Sequence, residues 1–450
     1  MTATIWLFAL GQMGWAMLAG LISNWLVYFF QPSQESIAAG QQLFIPQGNI
    51  VLGIITIVGL ITALGRIFDA FTDPWIANLS DRSKNPKGRR IPFMKKISIP
   101  FSIVTVLVFF SPVQAIASAN VLWLLISLLA FYLCMTIYCT PFNALIPVIG
   151  HDQKSRIAVS TAISLTFIVG TSLAYMAPVI WGILISSGIK RILAMRITFS
   201  CIALVACILM LIPAFTIDEK KLKQVKPSQE NAFTSLKLTF KNRNFRSFVY
   251  SDVLYFTALT IFQTGLPFFV TSLMGLKESD SSTLFVLMTA LSLLWYPLVN
   301  KLAPKFGKKK MVITAFIIFA IDYGLTAISG IIGFSSFGWG VLIVFIASIP
   351  MAILGILPQA MVADVAEEDS IKSGENRDGM FFAARTFAFK MGQSLAMLIF
   401  TGFATMGIIG YRLAAIAAAV LCIFSSLVLL RYDEKSILKA CSTNKTNNLK

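Results

Sequence analysis

Residues 65–74 read GRIFDAFTDP, and they place an arginine and two aspartates inside an apolar run that extends over about residues 50–78. An Arg or Asp at the centre of a membrane-spanning helix costs roughly 2.5–3.5 kcal/mol on insertion scales. Arg66, Asp69 and Asp73 are spaced three and four residues apart, so they share one helical face with Thr72 beside them. We therefore expect this face to point into the interior of a helix bundle.

The chain as a whole has the composition of an integral membrane protein. Of its 450 residues, 57% are apolar and 13% are charged, and the mean hydropathy is +0.79. Soluble domains carry about 25% charged residues, so this balance argues against soluble enzymes, disordered regulators and disulfide-stapled secreted domains. Five of the six cysteines lie inside apolar runs, and the sixth, Cys441, lies in a polar tail. We expect the five to be small core residues.

The apolar runs predict the number of membrane spans. A helix needs about 20 mainly apolar residues to cross the hydrocarbon core, and polar or turn residues divide the chain into twelve such runs. We predict an all-α integral membrane protein with twelve transmembrane helices in two six-helix halves of the major facilitator type. The predicted spans one to twelve cover residues 5–30, 50–78, 97–115, 120–149, 157–186, 193–216, 248–274, 281–300, 311–332, 338–364, 379–408 and 411–431.

The long polar segment between spans six and seven predicts how the chain is divided. The expected domains are an N-terminal six-helix half at 1–216, a cytoplasmic central loop at 217–247, a C-terminal six-helix half at 248–431 and a cytoplasmic tail at 432–450. A weak repeat supports two halves. The loop after span two contains SDR at 80–82 and GRR at 88–90, and the loop after span eight reads APKFGKKK at 303–310. The alternative is that any inner loop is basic and contains glycine.

The basic residues predict the orientation of the spans. Most of the 37 Lys and Arg lie in loops after even-numbered spans and in the C-terminal tail. Positively charged loops resist translocation, so we predict a multi-pass plasma (inner) membrane protein with both termini cytoplasmic. The net charge of +17 then belongs to loops, and we expect no nucleic-acid partner. The opposite loops are predicted to hold only Lys190, Arg191, Arg196, Lys277 and Arg412.

The acidic pair of span two predicts a cation site. Two carboxylates and the Thr72 hydroxyl offer oxygen ligands for a monovalent cation such as Na⁺, and a proton is the alternative because two close carboxylates cannot both ionise freely. Pro74 leaves the carbonyl of residue 70 without its helical donor. The competing interpretation is an Arg66–Asp69 ion pair that only joins helices.

Span eleven carries a second costly pair of charges, Arg385 and Lys390. We expect Lys390 to be the counter-charge of the acidic pair, so that cation occupancy would bias a two-state carrier. A lysine that reaches to the membrane interface is the simpler alternative.

Several motifs resemble those of one known family. GRIFDAFTDP at 65–74, SDR at 80–82 and GRRIPF at 88–93 are similar to the signature of the glycoside-pentoside-hexuronide:cation symporter family, and MVAD at 361–364 and GMFF at 379–382 also resemble it. The resemblance implies that Asp69, Thr72, Asp73 and Thr136 bind the coupling ion, which would be Na⁺, Li⁺ or H⁺. It also implies that Lys390 is a functional lysine.

Neutral polar residues inside the spans are the candidates for solute binding. Amides and an aromatic ring suit a hydroxylated ligand, although each alone is more often an interhelical hydrogen bond. The candidates are Gln12, Trp15, Asn24, Asn143, Gln263, Gln359 and Gln393. The expected coupling or gating residues are Arg66, Asp81, Arg89, Arg90 and Lys390, with Asp81 pairing with the loop arginines.

The expected function is cation-coupled symport of a small organic solute, a sugar or glycoside, by alternating access. We expect a monomer that contacts its solute and membrane lipid, without a cofactor beyond the coupling ion. One alternative is a carrier of an amphipathic lipid. The other is a membrane prenyltransferase-type enzyme that holds Mg²⁺-diphosphate on two acidic motifs, Asp69-x-x-x-Asp73 and Asp364-x-x-x-Glu368.

Overall fold

The computed structural model describes residues 2–49, 53–83, 85–86, 88–150, 153–219, 239–331, 335–373 and 378–447. Much of the predicted central loop at 217–247 lies outside these ranges. The helices are α1 (Thr2–Phe30), α2 (Gln34–Ala38), α3 (Ile57–Asp81), α4 (Ile91–Val108), α5 (Ser118–Ile149), α6 (Gln153–Tyr175), α7 (Ala177–Ser186), α8 (Arg191–Thr216), α9 (Arg243–Phe268), α10 (Glu278–Phe306), α11 (Lys308–Ala327), α12 (Ser336–Ser373), α13 (Asp378–Ala404), α14 (Ile408–Leu429) and α15 (Glu434–Asn447).

The prediction of an all-α membrane protein with twelve spans is confirmed. Within the described ranges, 11 helical stretches are long and apolar enough to cross a membrane. In this count, α6 and α7 form one stretch, and so do α9 and the π-helical turn Phe269–Leu273 that follows it. The twelfth is α3. It falls short on apolar composition because its central turns hold Arg66, Asp69 and Asp73. The helix with the least apolar interior is therefore the one that carries the candidate ion ligands.

The chain forms two compact units. Unit 1 comprises Met1–Ser228, Leu266–Ser272 and Lys277–Val286, and unit 2 comprises Gln229–Gly265, Leu273–Leu276 and Leu287–Lys450. In unit 1, α1 packs against α6 and α8, α3 packs against α5, and α4 packs against α5 and α8. In unit 2, α11 packs against α12 and α14, and α12, which has 38 residues, also packs against α15.

Span three begins earlier than predicted. We expected it to start at residue 97 because Lys95 and Lys96 look like loop residues, but α4 starts at Ile91. The Glu219 carboxylate accepts hydrogen bonds from the backbone nitrogens of Arg90 at 2.8 Å and Ile91 at 3.0 Å. A carboxylate at a helix N-terminus satisfies donors that have no partner within the helix and interacts favourably with the helix dipole. This cap starts the helix before its lysines.

Unit 2 repeats the same cap. The Glu434 carboxylate accepts from the backbone nitrogens of Lys308 at 2.7 Å and Lys309 at 3.1 Å, at the start of α11. A glycine with positive φ precedes each capped helix, Gly88 at 119° and Gly307 at 86°. A Cβ atom at either glycine would collide with the capping carboxylate. The loops that carry the weak sequence repeat therefore have the same local structure.

Three further details differ from the sequence prediction. Span five is broken at Met176, because α7 begins at Ala177 and Pro178 in its first turn has no N–H to donate to α6. Arg196 and Arg412 lie within α8 and α14 and not in loops. The guanidinium of Arg196 lies over the rings of Phe44 at 5.2 Å and Phe110 at 4.9 Å, which explains how an arginine fits inside an apolar helix.

Candidate functional site

The candidate ion site lies where α3 packs against α5 in unit 1. Gly65 makes this close approach possible, since a Cβ atom there would lie 2.5 Å from Cε2 of Tyr132 on α5. The helix continues through Pro74. Asp69 is fully buried, Thr72 is buried and Asp73 is half-buried. The acidic face of α3 is thus turned toward a neighbouring helix, as its charge pattern predicts.

Four side-chain oxygens converge at this contact. Thr136 on α5 places its hydroxyl oxygen 3.0 Å from Oδ1 of Asp69 and 3.2 Å from Oδ1 of Asp73. The Thr72 hydroxyl lies 3.2 Å from that of Thr136. A single hydroxyl proton can serve only one acceptor at a time, so Asp69 and Asp73 compete for the Thr136 donor. Such a cluster can bind a small cation or an additional proton.

Arg66, one helical turn before Asp69, contacts α1 and α5. Its Nη2 donates to the Ser23 hydroxyl of α1 at 3.0 Å, and its guanidinium lies 5.2 Å from the ring centroid of Tyr132. The guanidinium of Arg66 thus contacts the Ser23 hydroxyl and the ring of Tyr132.

The loop after α3 joins three helices of unit 1. Arg90 donates from Nη2 to Oδ1 of Asp81 at 3.1 Å and from Nη1 to the Ala144 carbonyl of α5 at 2.8 Å. Asp81 ends α3, and the Glu219 cap follows α8. Asp81 therefore pairs with Arg90, whereas Arg89 is placed nearby on the same loop.

The candidate solute residues fall on helices of both units. In unit 1, Gln12 and Asn24 on α1 are buried, Asn143 on α5 is exposed, and Trp15 is half-buried with an indole nitrogen that has no hydrogen-bond partner. The Trp15 ring lies 5.9 Å from that of Phe167. Among the unit 1 candidates, Trp15 is the one that has a buried polar atom without a hydrogen-bond partner in the described part of the chain.

The unit 2 members are Gln263 on α9, Gln359 on α12 and Gln393 on α13. Gln359 is exposed, and Gln263 and Gln393 are half-buried. The side-chain oxygen of Gln393 is buried without a hydrogen-bond partner. Gln393 thus has a hydrogen-bond acceptor that no described residue fills, and Trp15 has such a donor.

Unit 2 buries charges that the sequence analysis did not pair. Arg385 on α13 donates from Nε to Asp252 on α9 at 2.7 Å and from Nη2 at 3.1 Å, which is a bidentate ion pair. Lys390 on the same helix is buried. Asp252 and a further acid, Asp322 on α11, were missed although an acid in an apolar run is itself a signal.

The comparisons with known proteins agree with this architecture. The family model described as "MFS/sugar transport protein" matches residues 7–430. The chain belongs to this family of MFS transporters. This confirms the predicted family resemblance and establishes that the chain is a multi-pass membrane transporter and not an enzyme.

Two relatives and one solved structure illustrate the range of similarity. The "Sodium-dependent lysophosphatidylcholine symporter 1-B" of Danio rerio is 24% identical over 388 residues, which cover 77% of this chain and 72% of that protein. The "Raffinose carrier protein" of Pediococcus pentosaceus is 21% identical, and the match covers 76% of this chain and 54% of that protein. A proton-dependent oligopeptide transporter structure superposes with a TM-score of 0.69 at 12% identity, covering 98% of this MFS transporter and 100% of that chain. At this low identity, the similarity to the solved structure shows the fold alone.

The acidic residues of the enzyme alternative have structural partners in this MFS transporter. Asp364 pairs with Lys308 at 2.6 Å, and Glu368 pairs with Lys372 at 2.6 Å. Asn244 lies 3.3 Å from the other Glu368 oxygen. Both acids therefore serve contacts around the ends of unit 2 helices.

Glu278 is a further residue that the sequence analysis missed. At the start of α10, its carboxylate accepts from the Tyr28 hydroxyl at 2.6 Å, the Trp181 indole nitrogen at 2.8 Å and the Arg191 guanidinium. All four residues belong to unit 1. Arg191 was predicted to be a loop charge, and its sequence position gave no sign of this partner.

Proposed function

We propose that this transporter is a cation-coupled symporter of a small organic solute, a sugar or glycoside, that works by alternating access. The observation that carries the proposal is the cluster of Asp69, Thr72, Asp73 and Thr136, in which two intramembrane carboxylates share one hydroxyl donor. Intramembrane acids are costly and commonly mark ion or proton pathways. Their cost is offset when a cation binds.

The coupling ion is a monovalent cation, Na⁺, Li⁺ or H⁺. The side-chain oxygens of this cluster come from a buried α3–α5 contact, and oxygen is the ligand that hard cations prefer. Arg66 lies one helical turn before Asp69 and contacts Ser23 and Tyr132. The same residue can respond to ion binding through the electric field of the pair, as a coupling residue.

The family description, sugar transport, supports a sugar or glycoside as the solute. Trp15 and Gln393 are the strongest candidate ligands, because each has a polar atom without a partner. Gln12, Asn24, Asn143, Gln263 and Gln359 complete the candidate set. Lys390 remains the candidate coupling lysine of α13.

The positive-inside rule supports a plasma-membrane protein with cytoplasmic termini. In that orientation, the Arg90–Asp81 pair and the Glu219 and Glu434 caps lie on the cytoplasmic side. We infer that Asp81, Arg89 and Arg90 act in gating there, in a monomer.

A second candidate function is transport of an amphipathic lipid. It is favoured by the similarity to the lysophosphatidylcholine symporter of Danio rerio, at 24% identity over 77% of this chain. The same cation cluster would serve either solute. The two functions therefore differ in the solute pathway and not in the ion site.

Uptake into proteoliposomes distinguishes these functions. A panel of radiolabelled glycosides and lysophosphatidylcholine would be offered while Na⁺ and pH gradients are imposed separately. We expect gradient-driven accumulation of a glycoside by the wild type and none by Asp73→Asn. Asp280→Asn is the matched control, since Asp280 only accepts from the Lys277 backbone nitrogen at 3.0 Å. Full accumulation by Asp73→Asn would refute the ion site, and accumulation of the lipid alone would establish the second function.

A further inference from the structure

Asp322 on α11 is a buried acid to which the proposed symport mechanism gives no role. Asp322 is 0% exposed, and neither of its carboxylate oxygens has a hydrogen-bond partner among the described residues. The backbone around it is regular helix, in which the Thr326 hydroxyl donates to the Asp322 carbonyl at 3.0 Å. The side chain is therefore isolated although the backbone is fully bonded.

The helices around Asp322 bring no ionic partner to it. On α14, which packs against α11, Cys422 is a buried thiol, and Arg412 donates to the Ala327 carbonyl at the end of α11. The ionisable residues of α12 begin at Asp364, which pairs with Lys308. Lys308 is 14 residues away from Asp322, or roughly 21 Å along the helix.

The third neighbour, α9, contributes phenol and ion-pair groups. The Tyr255 ring lies 5.4 Å from that of Phe316 and 6.1 Å from that of Phe319, both on α11. Tyr255 is a buried phenol on α9, the helix that also carries Asp252 of the Asp252–Arg385 ion pair. The hydroxyl of Tyr323, beside Asp322 in sequence, is buried without a hydrogen-bond partner.

This setting determines the charge that Asp322 can carry. An isolated ionised carboxylate in an apolar interior is strongly disfavoured unless it is paired, and it becomes neutral instead. The buried ion pair of α9 and α13, Asp252–Arg385, is already bidentate and internally neutral. A bound metal ion would need several oxygen ligands, and Cys422 and Tyr323 do not supply them. A proton requires only the carboxylate.

We propose that Asp322 is a proton-binding site within unit 2, where it holds its proton as a neutral carboxylic acid between α9, α11 and α14. The proton can leave only when water reaches this interior, because no described side chain accepts it in the present packing. No other atom is transferred in this step.

The protonation of Asp322 is independent of the proposed symport function. Its use in transport rests on that function, and there it would add a proton step in unit 2 to the cation step at Asp69 and Asp73. With an active solute, Asp322→Asn would then lose the dependence of uptake on a pH gradient while it keeps the dependence on a Na⁺ gradient. Unchanged pH dependence in this variant would refute the transport role alone.

Infrared spectroscopy of the purified full chain in lipid tests the site without any solute. A protonated carboxyl group absorbs separately from a carboxylate, so the difference between wild type and Asp322→Asn at neutral pH should show a protonated carboxyl that the variant lacks. The matched Asp280→Asn difference should show a lost carboxylate, because Asp280 is half-buried at the start of α10 and accepts a hydrogen bond from the Lys277 backbone nitrogen. A carboxylate in the Asp322 difference would overturn the proposal.

Transfer to D₂O measures how accessible this proton is. Deuterium should replace the Asp322 carboxyl proton, and so shift its absorbance, more slowly than it replaces the protons of exposed backbone amides. The reason is that exchange at Asp322 requires local opening of unit 2. Asp322→Asn has nearly the shape of the neutral acid, so we expect it to fold with an unchanged Tm at neutral pH. A large loss of Tm in this variant would indicate that an ionised Asp322 stabilises the fold and would contradict the proposal.

Discussion

Asp69 in unit 1 and Asp322 in unit 2 are both fully buried acids on membrane-spanning helices, but their surroundings are opposite. Asp69 lies 3.0 Å from the Thr136 hydroxyl, which also reaches Asp73. In the part of the chain that the structure describes, Asp322 has no hydrogen-bond partner for either oxygen. The first environment offers the additional oxygens with which we propose that a cation is bound, and the second is the one for which we propose a proton. The ligands around an intramembrane acid, more than its depth, determine which ion it can bind.

The largest difference should appear when each acid is neutralised. We expect Asp69→Asn, like Asp73→Asn, to abolish Na⁺-driven accumulation, because a neutral amide removes a charged ligand from the cluster. Asp322→Asn should retain that accumulation. Uptake into proteoliposomes with an imposed Na⁺ gradient measures both, and equal losses in the two variants would remove the distinction between the sites.

The next largest effect concerns stability within unit 2. Asp252→Ala should lower the free energy of unfolding by about 3–5 kcal/mol, because it leaves the Arg385 guanidinium buried without its partner. Thermal unfolding in detergent measures the loss as a fall in Tm. The double variant Asp252→Ala with Arg385→Met should recover most of it. A single variant as stable as the wild type would mean that Arg385 finds another acceptor.

Removing one hydroxyl should weaken ion binding without abolishing it. Thr136→Val preserves shape but deletes the donor shared by Asp69 and Asp73, and a hydrogen bond to a charged group contributes about 1.5–3 kcal/mol. We expect the half-saturating cation concentration to rise on the order of tenfold or more. Thr105→Val is the control, since the buried Thr105 hydroxyl donates only to the Phe101 carbonyl of its own helix at 2.8 Å. An equal effect of both variants would indicate a packing defect.

The smallest effect tests where the two units are alike. Glu219→Gln and Glu434→Gln should each cost about 1 kcal/mol, because each weakens the anionic cap of one helix N-terminus. The expected falls in Tm are similar, since the two carboxylates accept from backbone nitrogens at 2.7–3.1 Å in the same way. A variant that unfolds while its counterpart is unaffected would show that the repeated loops are not equivalent.

The fold and the acidic face of α3 could be predicted because both depend on local signals. Twelve apolar runs are counted directly, and charges three and four residues apart fix a helical face. Thr136 could not be found in this way. It lies on another helix, and only the family resemblance pointed to it. The start of α4 was misplaced because its cap, Glu219, comes from 128 residues further along the chain.

Other parts of the site were missed although the sequence contained a signal. Asp252 and Asp322 stand alone in apolar runs, and an intramembrane acid is a functional candidate on its own. The triplet Asp-Glu-Lys occurs at 218–220 and again at 433–435, which could have identified both caps. The partners of Glu278 were not predictable, because Tyr28, Trp181 and Arg191 reach it from sequence distances of 250, 97 and 87 residues.

The length of α12 offers a way to read the sidedness of the chain. Its 38 residues extend about 57 Å at 1.5 Å per residue, whereas the hydrocarbon layer is about 30 Å thick. The final turns, which carry Asp369 and Lys372, therefore extend beyond the hydrocarbon layer as a rod of helix. A cysteine introduced at Ser373, the exposed end of this rod, would react with a membrane-impermeant maleimide on one face of the cell only, and that face identifies the compartment that holds the termini.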